Sequence, residues 1–332
     1  MAAVVPDLFT ELAPPLSDEE ALLEADRCLR CGGAHRAMPS EQGRGRAARA
    51  NREVPPGAPQ EGGHGFPHGS EPKASDVHAP APCVVACPAD VDVPTFVGQI
   101  ADGDPEAAAA TIFAENLLGG TCARVCPVEV LCAGECVLLH EGRDAIEIGR
   151  LQRYATDKGH AAGIPLRRPT QGRAGRVAIV GAGPAGLACA GELAARGYTV
   201  TVYDEREEIG GLVRFAIAPY RQQREPLPAE AAALAALGVR FELGTAIDSE
   251  QVFRELSVHA DAVFLGLGMG ADADVSYPGD ELDGVWESLP FIEALKTGEP
   301  PDVGRRVAVI GGGNTAVDVA IESVRLDRKS VV

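Results

Sequence analysis

The spacing of apolar residues predicts helices in the first half of the chain. Ser17 and Glu20 have the spacing of a capping box and precede an apolar periodic run. A second helix start lies at Asp104-Pro105, where an N-cap residue is followed by proline at the first helical position, and a third lies within Ile148–Lys158. Residues 80–160 are therefore predicted to be all-helical.

Beyond the middle of the chain, continuous apolar runs replace the helical spacing. Val177–Val180 is typical of a buried strand and leads into a glycine-rich turn and a helix. The same order begins again at Val307–Ile310. The pattern predicts an α/β protein with a helical domain (1–165), a Rossmann-like domain (175–300) and the start of a second Rossmann-like domain (305–332).

Residues 35–79 interrupt the helical half. They lack apolar periodicity and are rich in Gly, Pro, Arg and His, which is the composition of a flexible segment. The histidines of this stretch could bind a metal, but their irregular spacing favours a solvated linker. We therefore predict a loop-like insertion.

Composition and charge exclude several classes of function. The 332 residues carry a formal net charge of −18, which would repel the phosphates of a nucleic acid. The chain starts without a basic segment, and no stretch of about 18 apolar residues indicates a membrane span. We expect a cytoplasmic protein that binds neither nucleic acid nor membrane.

The first glycine-rich turn has the order of a dinucleotide-binding site. It follows a predicted strand and opens a helix, so a pyrophosphate can lie at the helix N-terminus. Thr199–Tyr203 is the next predicted strand, and the acid that ends it can hold ribose hydroxyls. The candidate residues are Gly181, Gly183, Pro184, Ala185, Gly186 and Asp204.

The chain has nine cysteines, and eight of them form four close pairs before residue 137. In a reducing compartment such pairs indicate metal or cluster ligation rather than disulfides. Eight soft ligands suit two tetrahedral metal centres, with zinc as one choice, or two four-iron clusters. Cys-Pro sequences and the neighbouring dinucleotide domain favour iron–sulfur. The ninth, Cys189, is predicted to be a small core residue.

Four stretches carry a family resemblance: RCLRC, APCVVACP, GGTCARVCPVEVLCAGEC and IEIGRLQRYATD. They resemble the N-terminal domain shared by the glutamate synthase small subunit and dihydropyrimidine dehydrogenase. The resemblance implies two crosswise clusters, with one on Cys28, Cys31, Cys83 and Cys136, and the other on Cys87, Cys126, Cys132 and a fourth ligand.

The fourth ligand implied by dihydropyrimidine dehydrogenase is Gln152, whereas glutamate synthase small subunits carry Glu at that place. This difference favours the pyrimidine enzyme. The alternative is that Gln152 is a helix-surface residue and that Cys122 is the eighth ligand. The insertion between Cys31 and Cys83 departs from the family, but loop closure cost grows slowly with length, so the first cluster can still form.

The resemblance also implies the identity of the two nucleotides. Ile209–Phe215 resembles a flavin-contacting loop, which makes FAD the first cofactor and adds Gly210, Gly211 and Leu212 to its site. In this loop region Ala216 and Ala218 replace the family's usual Gly and Pro. The second turn matches the NAD(P)H motif through Gly311, Gly313, Asn314, Thr315 and Ala316.

The implied function is electron input. A hydride passes from NAD(P)H to FAD, and single electrons pass through two [4Fe-4S] clusters to a partner reductase subunit, without a central acid–base side chain. The best match is dihydropyrimidine dehydrogenase, and glutamate synthase is the first alternative. The second alternative is a non-catalytic iron–sulfur fragment, because the second nucleotide domain is expected to be incomplete and to leave flavin weakly held.

Overall fold

The computed structural model describes residues 11, 13–31, 80–167, 169–170, 172, 175–270, 276–299, 301–327 and 330–331. The predicted insertion 35–79 lies outside these residues. The described chain forms two compact units. The helical unit comprises 16–31, 80–119 and 126–164, and the α/β unit comprises the remainder, including 120–125.

The first part of the chain is helical, as predicted. The helices are α1 (Asp18–Asp26), α2 (Pro82–Val85), α3 (Val93–Ala101), α4 (Pro105–Glu115), α5 (Gly119–Val125) and α6 (Ile148–Ala161), with 3₁₀ turns at Val128–Val130 and Val137–Glu141. The capping box is present, since Ser17 N donates to Glu20 Oε2 at 2.8 Å and Glu20 N donates to Ser17 Oγ at 3.3 Å. Local sequence therefore sets where α1 begins.

The core of the helical unit lies between α3, α4 and α6. Phe96, Ile112, Phe113 and Leu151 are fully buried there. A Cβ atom at Gly159 of α6 would lie 2.3 Å from Ala109 Cβ on α4, so the absent side chain permits the close approach of these two helices. The close packing of these helices fixes the positions of the loops that connect them.

The α/β unit contains a parallel sheet with strand order β3-β2-β1-β4. Its strands are β1 (Arg176–Val180), β2 (Thr199–Asp204), β3 (Arg240–Leu243) and β4 (Ala262–Leu265), and β5 (Arg306–Val307) pairs in parallel with β6 (Ser330–Val331). Its later helices are α7 (Pro184–Ala195), α8 (Leu212–Phe215), α9 (Leu227–Ala236), α10 (Glu250–His259), α11 (Ser288–Thr297) and α12 (Asn314–Arg325). The predicted α/β class is confirmed.

The sheet brings the ends of β1, β2 and β4 to one edge. Val180 is paired with both Tyr203 of β2 and Leu265 of β4. The turns that follow these strands therefore lie side by side, as they do at the carboxyl edge of parallel sheets. Farther along the chain, Phe291, Ile292 and Leu295 of α11 form a second core cluster. Among the described residues, no helix is both long and apolar enough to span a bilayer.

Candidate cofactor sites

One cavity in the helical unit collects cysteines from three separate stretches of sequence. Cys28 and Cys31 follow α1, Cys83 lies on α2, and Cys136 precedes a 3₁₀ turn. All four line the same cavity, together with apolar side chains that include Pro82, Val93, Val97, Leu138, Ile146 and Ile148. These are the same four cysteines that the resemblance assigns to the first cluster.

Each thiol of this cavity makes ionisation of its neighbours less favourable. The pKa of Cys83 is raised to about 12, first by burial and then by the neighbouring thiols of Cys28, Cys132, Cys136 and Cys31. Four thiolates there would need compensating positive charge, which the iron of a cluster supplies on binding. The donor set and the apolar lining therefore fit a [4Fe-4S] cluster. Within the described ranges, no three His, Cys, Asp or Glu side chains surround a single-ion position.

The second group of predicted cluster ligands comprises Cys87, Cys126 and Cys132, and the thiol of Cys87 influences that of Cys132. Burial raises the pKa of Cys132 to about 11, and the nearby thiol of Cys87 contributes next. Cys126 follows α5 directly and belongs to the helical unit, whereas Cys122 lies on the part of α5 that belongs to the α/β unit. Cys87 therefore lies near Cys132, and the assignment of both to one cluster stays a prediction.

Gln152 is buried on α6, with 9% of its surface exposed, so it is not a helix-surface residue. Its Nε2 atom donates a 2.8 Å hydrogen bond to the carbonyl oxygen of Gly119. This bond fixes which end of the amide faces Gly119 and directs Oε1 elsewhere. The Gly119 contact was not predicted, because it joins residues far apart in sequence.

The first glycine-rich turn has no room for side chains at two of its glycines. Gly181 has φ of 106°, and a Cβ atom there would lie 2.2 Å from Gly266 O, beyond β4. A Cβ atom at Gly186 would lie 1.9 Å from Gly181 O. Gly183 is the N-cap residue of α7, and Pro184 follows at the first helical position. The backbone can therefore approach a pyrophosphate at the start of α7.

Asp204 is the last residue of β2, and its side chain is hydrogen-bonded to this turn. Its Oδ2 atom accepts a 2.6 Å hydrogen bond from Ala182 N, and its Oδ1 atom accepts one of 2.9 Å from Arg206 N. The sequence motif predicted only that this carboxylate faces a ribose. The structure adds that the same carboxylate orients the turn itself.

The predicted flavin loop packs directly on the glycine turn. Gly210 N donates to Ala182 O at 2.8 Å, and a Cβ atom at Gly211 would lie 2.9 Å from Gly183 Cα. Leu212 begins the one-turn helix α8. These contacts gather the predicted FAD residues around one end of β1. The close approach of Gly266 to Gly181 was not predicted, because the two glycines are far apart in sequence.

The second glycine-rich turn lies at the start of α12. Gly313 is the N-cap residue, and Asn314, Thr315 and Ala316 form the first turn of the helix. The strand before it covers only Arg306–Val307 rather than the predicted Val307–Ile310. The motif residues are brought together by local sequence alone and are largely exposed.

Comparison with known families assigns both units. Residues 78–164 match the family described as dihydropyrimidine dehydrogenase domain II, 4Fe-4S cluster. Residues 175–332 match the pyridine nucleotide-disulphide oxidoreductase family. The chain therefore contains one domain similar to each of these two families. These domains support [4Fe-4S] clusters, FAD and NAD(P)H as its cofactors and confirm the predicted cofactor types.

The relatives of this chain are longer than the chain itself. The glutamate synthase [NADPH] small chain of Halomonas elongata is 30% identical over 97% of this chain and 61% of its own length. The NAD-dependent dihydropyrimidine dehydrogenase subunit PreT of Escherichia coli K12 is 35% identical over 72% of this chain and 58% of its own length. The solved structure of Mycobacterium tuberculosis FprA in complex with NADPH has 26% identity and a TM-score of 0.38, covering 45% of this chain and 36% of that chain. The chain thus spans about three fifths of these two relatives.

Proposed function

We propose that this protein is the electron-input part of a reductase, passing electrons from NAD(P)H through FAD and two [4Fe-4S] clusters to a partner reductase subunit in the cytoplasm. The observation that carries the proposal is the cavity that unites Cys28, Cys31, Cys83 and Cys136. Such a collection of thiols, in a chain with a dinucleotide turn, suits one-electron transfer rather than chemistry by protein side chains.

The proposed cofactor residues follow from the packing described above. FAD would be held by the turn at 181–186, by Asp204 and by the loop at 210–212, and NAD(P)H would be held by the turn at 311–316. The first cluster would take the four cysteines of the cavity. The second would take Cys87, Cys126, Cys132 and Gln152.

The partner we favour is a pyrimidine-reducing subunit of the dihydropyrimidine dehydrogenase type. The amide of Gln152 supports this choice, because the buried side chain donates to Gly119 O, which a carboxylate cannot do. A glutamate synthase large subunit is the second candidate, and the similarity to a glutamate synthase small chain over 97% of this chain favours it.

Anaerobic purification with iron, sulfide and flavin analysis tests the proposal. We expect about eight irons per chain and a matching amount of sulfide. The purified protein, reduced chemically, is then offered to each candidate partner, with uracil or with glutamine and 2-oxoglutarate. Zinc in place of iron would refute the electron-transfer function. Turnover with only one of the two candidates would identify that candidate as the partner.

Replacing Gln152 with glutamate is expected to lower the reduction potential of the second cluster and weaken its retention. The added negative charge opposes reduction. The substitution also removes the hydrogen bond that Gln152 donates to Gly119 O and places a carboxylate oxygen beside that carbonyl, at a cost of about 1–3 kcal/mol, or roughly tenfold in retention. Potentiometric titration followed by electron paramagnetic resonance measures both effects.

The matched control is Gln251→Glu on the surface of α10, which should leave both clusters unchanged. An unaltered potential in Gln152→Glu would show that Gln152 is not a ligand. Cys122 would then become the candidate for the eighth position.

A further inference from the structure

Lys296 on α11 is largely buried and uses every donor of its ammonium group. Its Nζ atom donates to the backbone carbonyls of Val213 and Ile217 at 2.8 Å and to that of Gln222 at 3.0 Å. An ammonium group has three N–H donors, so this geometry is complete. All three acceptors belong to one stretch, 213–222, which includes most of α8 and the turn after it.

The same stretch is bonded back to α11. Arg214 donates from Nη1 to Lys296 O at 3.1 Å, and its Nε and Nη2 atoms bind the two carboxylate oxygens of Glu208 at 3.1 and 2.9 Å. Arg214 is itself buried. Hydrogen bonds therefore run in both directions between α11 and the 213–222 stretch, and one carbonyl in the last turn of α11, that of Lys296, gains a partner.

This stretch continues directly from the loop that packs on the first glycine turn. Gly210 donates to Ala182 O, and Gly211 contacts Gly183. We infer that Lys296 is a positioning residue for the flavin site, because its ammonium group fixes residues 213–222, which continue the loop that packs on the glycine turn. The inference rests on the proposed FAD site and adds to it a residue about 80 positions away in sequence.

The buried surroundings of Lys296 disfavour its positive charge, whereas its hydrogen bonds favour that charge. Burial, and after it the positive charge of Arg214, lower the pKa of Lys296 to about 7, while Glu11 and Glu322 oppose the shift. The three carbonyls also favour the charged ammonium. Removing a charge from water is costly, so the burial of Lys296 does not itself stabilise the fold. Its stabilising effect comes from the hydrogen bonds that it makes.

Hydrogen exchange on the whole chain tests the inference without depending on flavin. In Lys296→Met, which keeps the apolar stem, the amides of Gly210, Ile217 and Gln222 should exchange at least roughly tenfold faster, since bonds to a charged group are the stronger class. Arg254→Met is the control, because it removes only a surface ion pair between Arg254 and Glu250, both on α10 of the same unit.

FAD titration of the same variants measures the consequence for the site. We expect Lys296→Met to weaken FAD binding roughly tenfold and to alter the circular dichroism of the bound flavin. Lys296→Arg keeps the charge, so its FAD affinity should lie between those of the methionine variant and the original protein. Equal exchange rates in the original protein and both variants would overturn the inference, and the arginine variant decides if the methionine variant does not fold. Absence of FAD binding in the original protein would instead refute the proposed FAD site.

Discussion

Gly186→Ala is expected to destabilise the α/β unit by about 3 kcal/mol and to abolish tight FAD binding. The new Cβ atom would lie 1.9 Å from Gly181 O, and real side chains never approach a backbone oxygen so closely. The obstacle is backbone rather than a mobile side chain, so α7 must move away from β1. That movement would displace the helix N-terminus from the pyrophosphate.

Gly304→Ala is the control for this substitution. Its Cβ atom would meet only Arg306 O at 3.9 Å, an ordinary contact, in the same unit. Urea unfolding monitored by circular dichroism gives the free energy of unfolding of each variant, and fluorescence of released flavin reports the FAD site. If Gly186→Ala matched Gly304→Ala in both measurements, the geometry described for the turn would be wrong.

Cys83→Ser is expected to remove the first cluster and leave the second in place. Cys83 belongs to the cavity formed with Cys28, Cys31 and Cys136. A serine hydroxyl is a harder and less acidic donor than a thiol and binds iron of a cluster poorly. Iron should therefore fall from about eight to about four per chain, with loss of one electron paramagnetic resonance signal after reduction.

Cys189→Ser is the matched control. Cys189 lies on α7, away from the other eight cysteines in sequence, and burial alone raises its thiol pKa. This variant should retain the full iron content and both signals. Unchanged iron in Cys83→Ser, or equal losses in the two variants, would contradict the assignment of the cavity to a cluster.

The features that sequence predicted correctly depend on neighbouring residues. The capping box at Ser17 and Glu20, the proline start of α4 and the strand–turn–helix at 176–195 are each set by contacts within a few positions. The preference for glycine at a positive φ, as at Gly181, is equally local, because it depends on the conformation of that residue's own backbone. For this reason the fold class and the positions of the two glycine-rich turns could be predicted from the sequence.

The grouping of the cysteines came from a family resemblance and not from spacing. Pairs such as Cys28 with Cys31 are local, but their union with Cys83 and Cys136 requires α1, α2 and the turn at 137–141 to pack around one cavity. Spacing alone allowed Cys122 as well as Gln152. Only packing shows that Gln152 is buried and bonded to Gly119.

By itself, the sequence determined the order of helices, strands and glycine turns, and with them the classes of cofactor. Tertiary structure alone decided the partners that are distant along the chain: Gly266 against Gly181, Asp204 on the turn, and Lys296 beneath the loop at 213–222. The physical reason is that hydrogen bonds and close backbone contacts between distant residues form only after the strands and helices have packed. No periodicity in the chain encodes them.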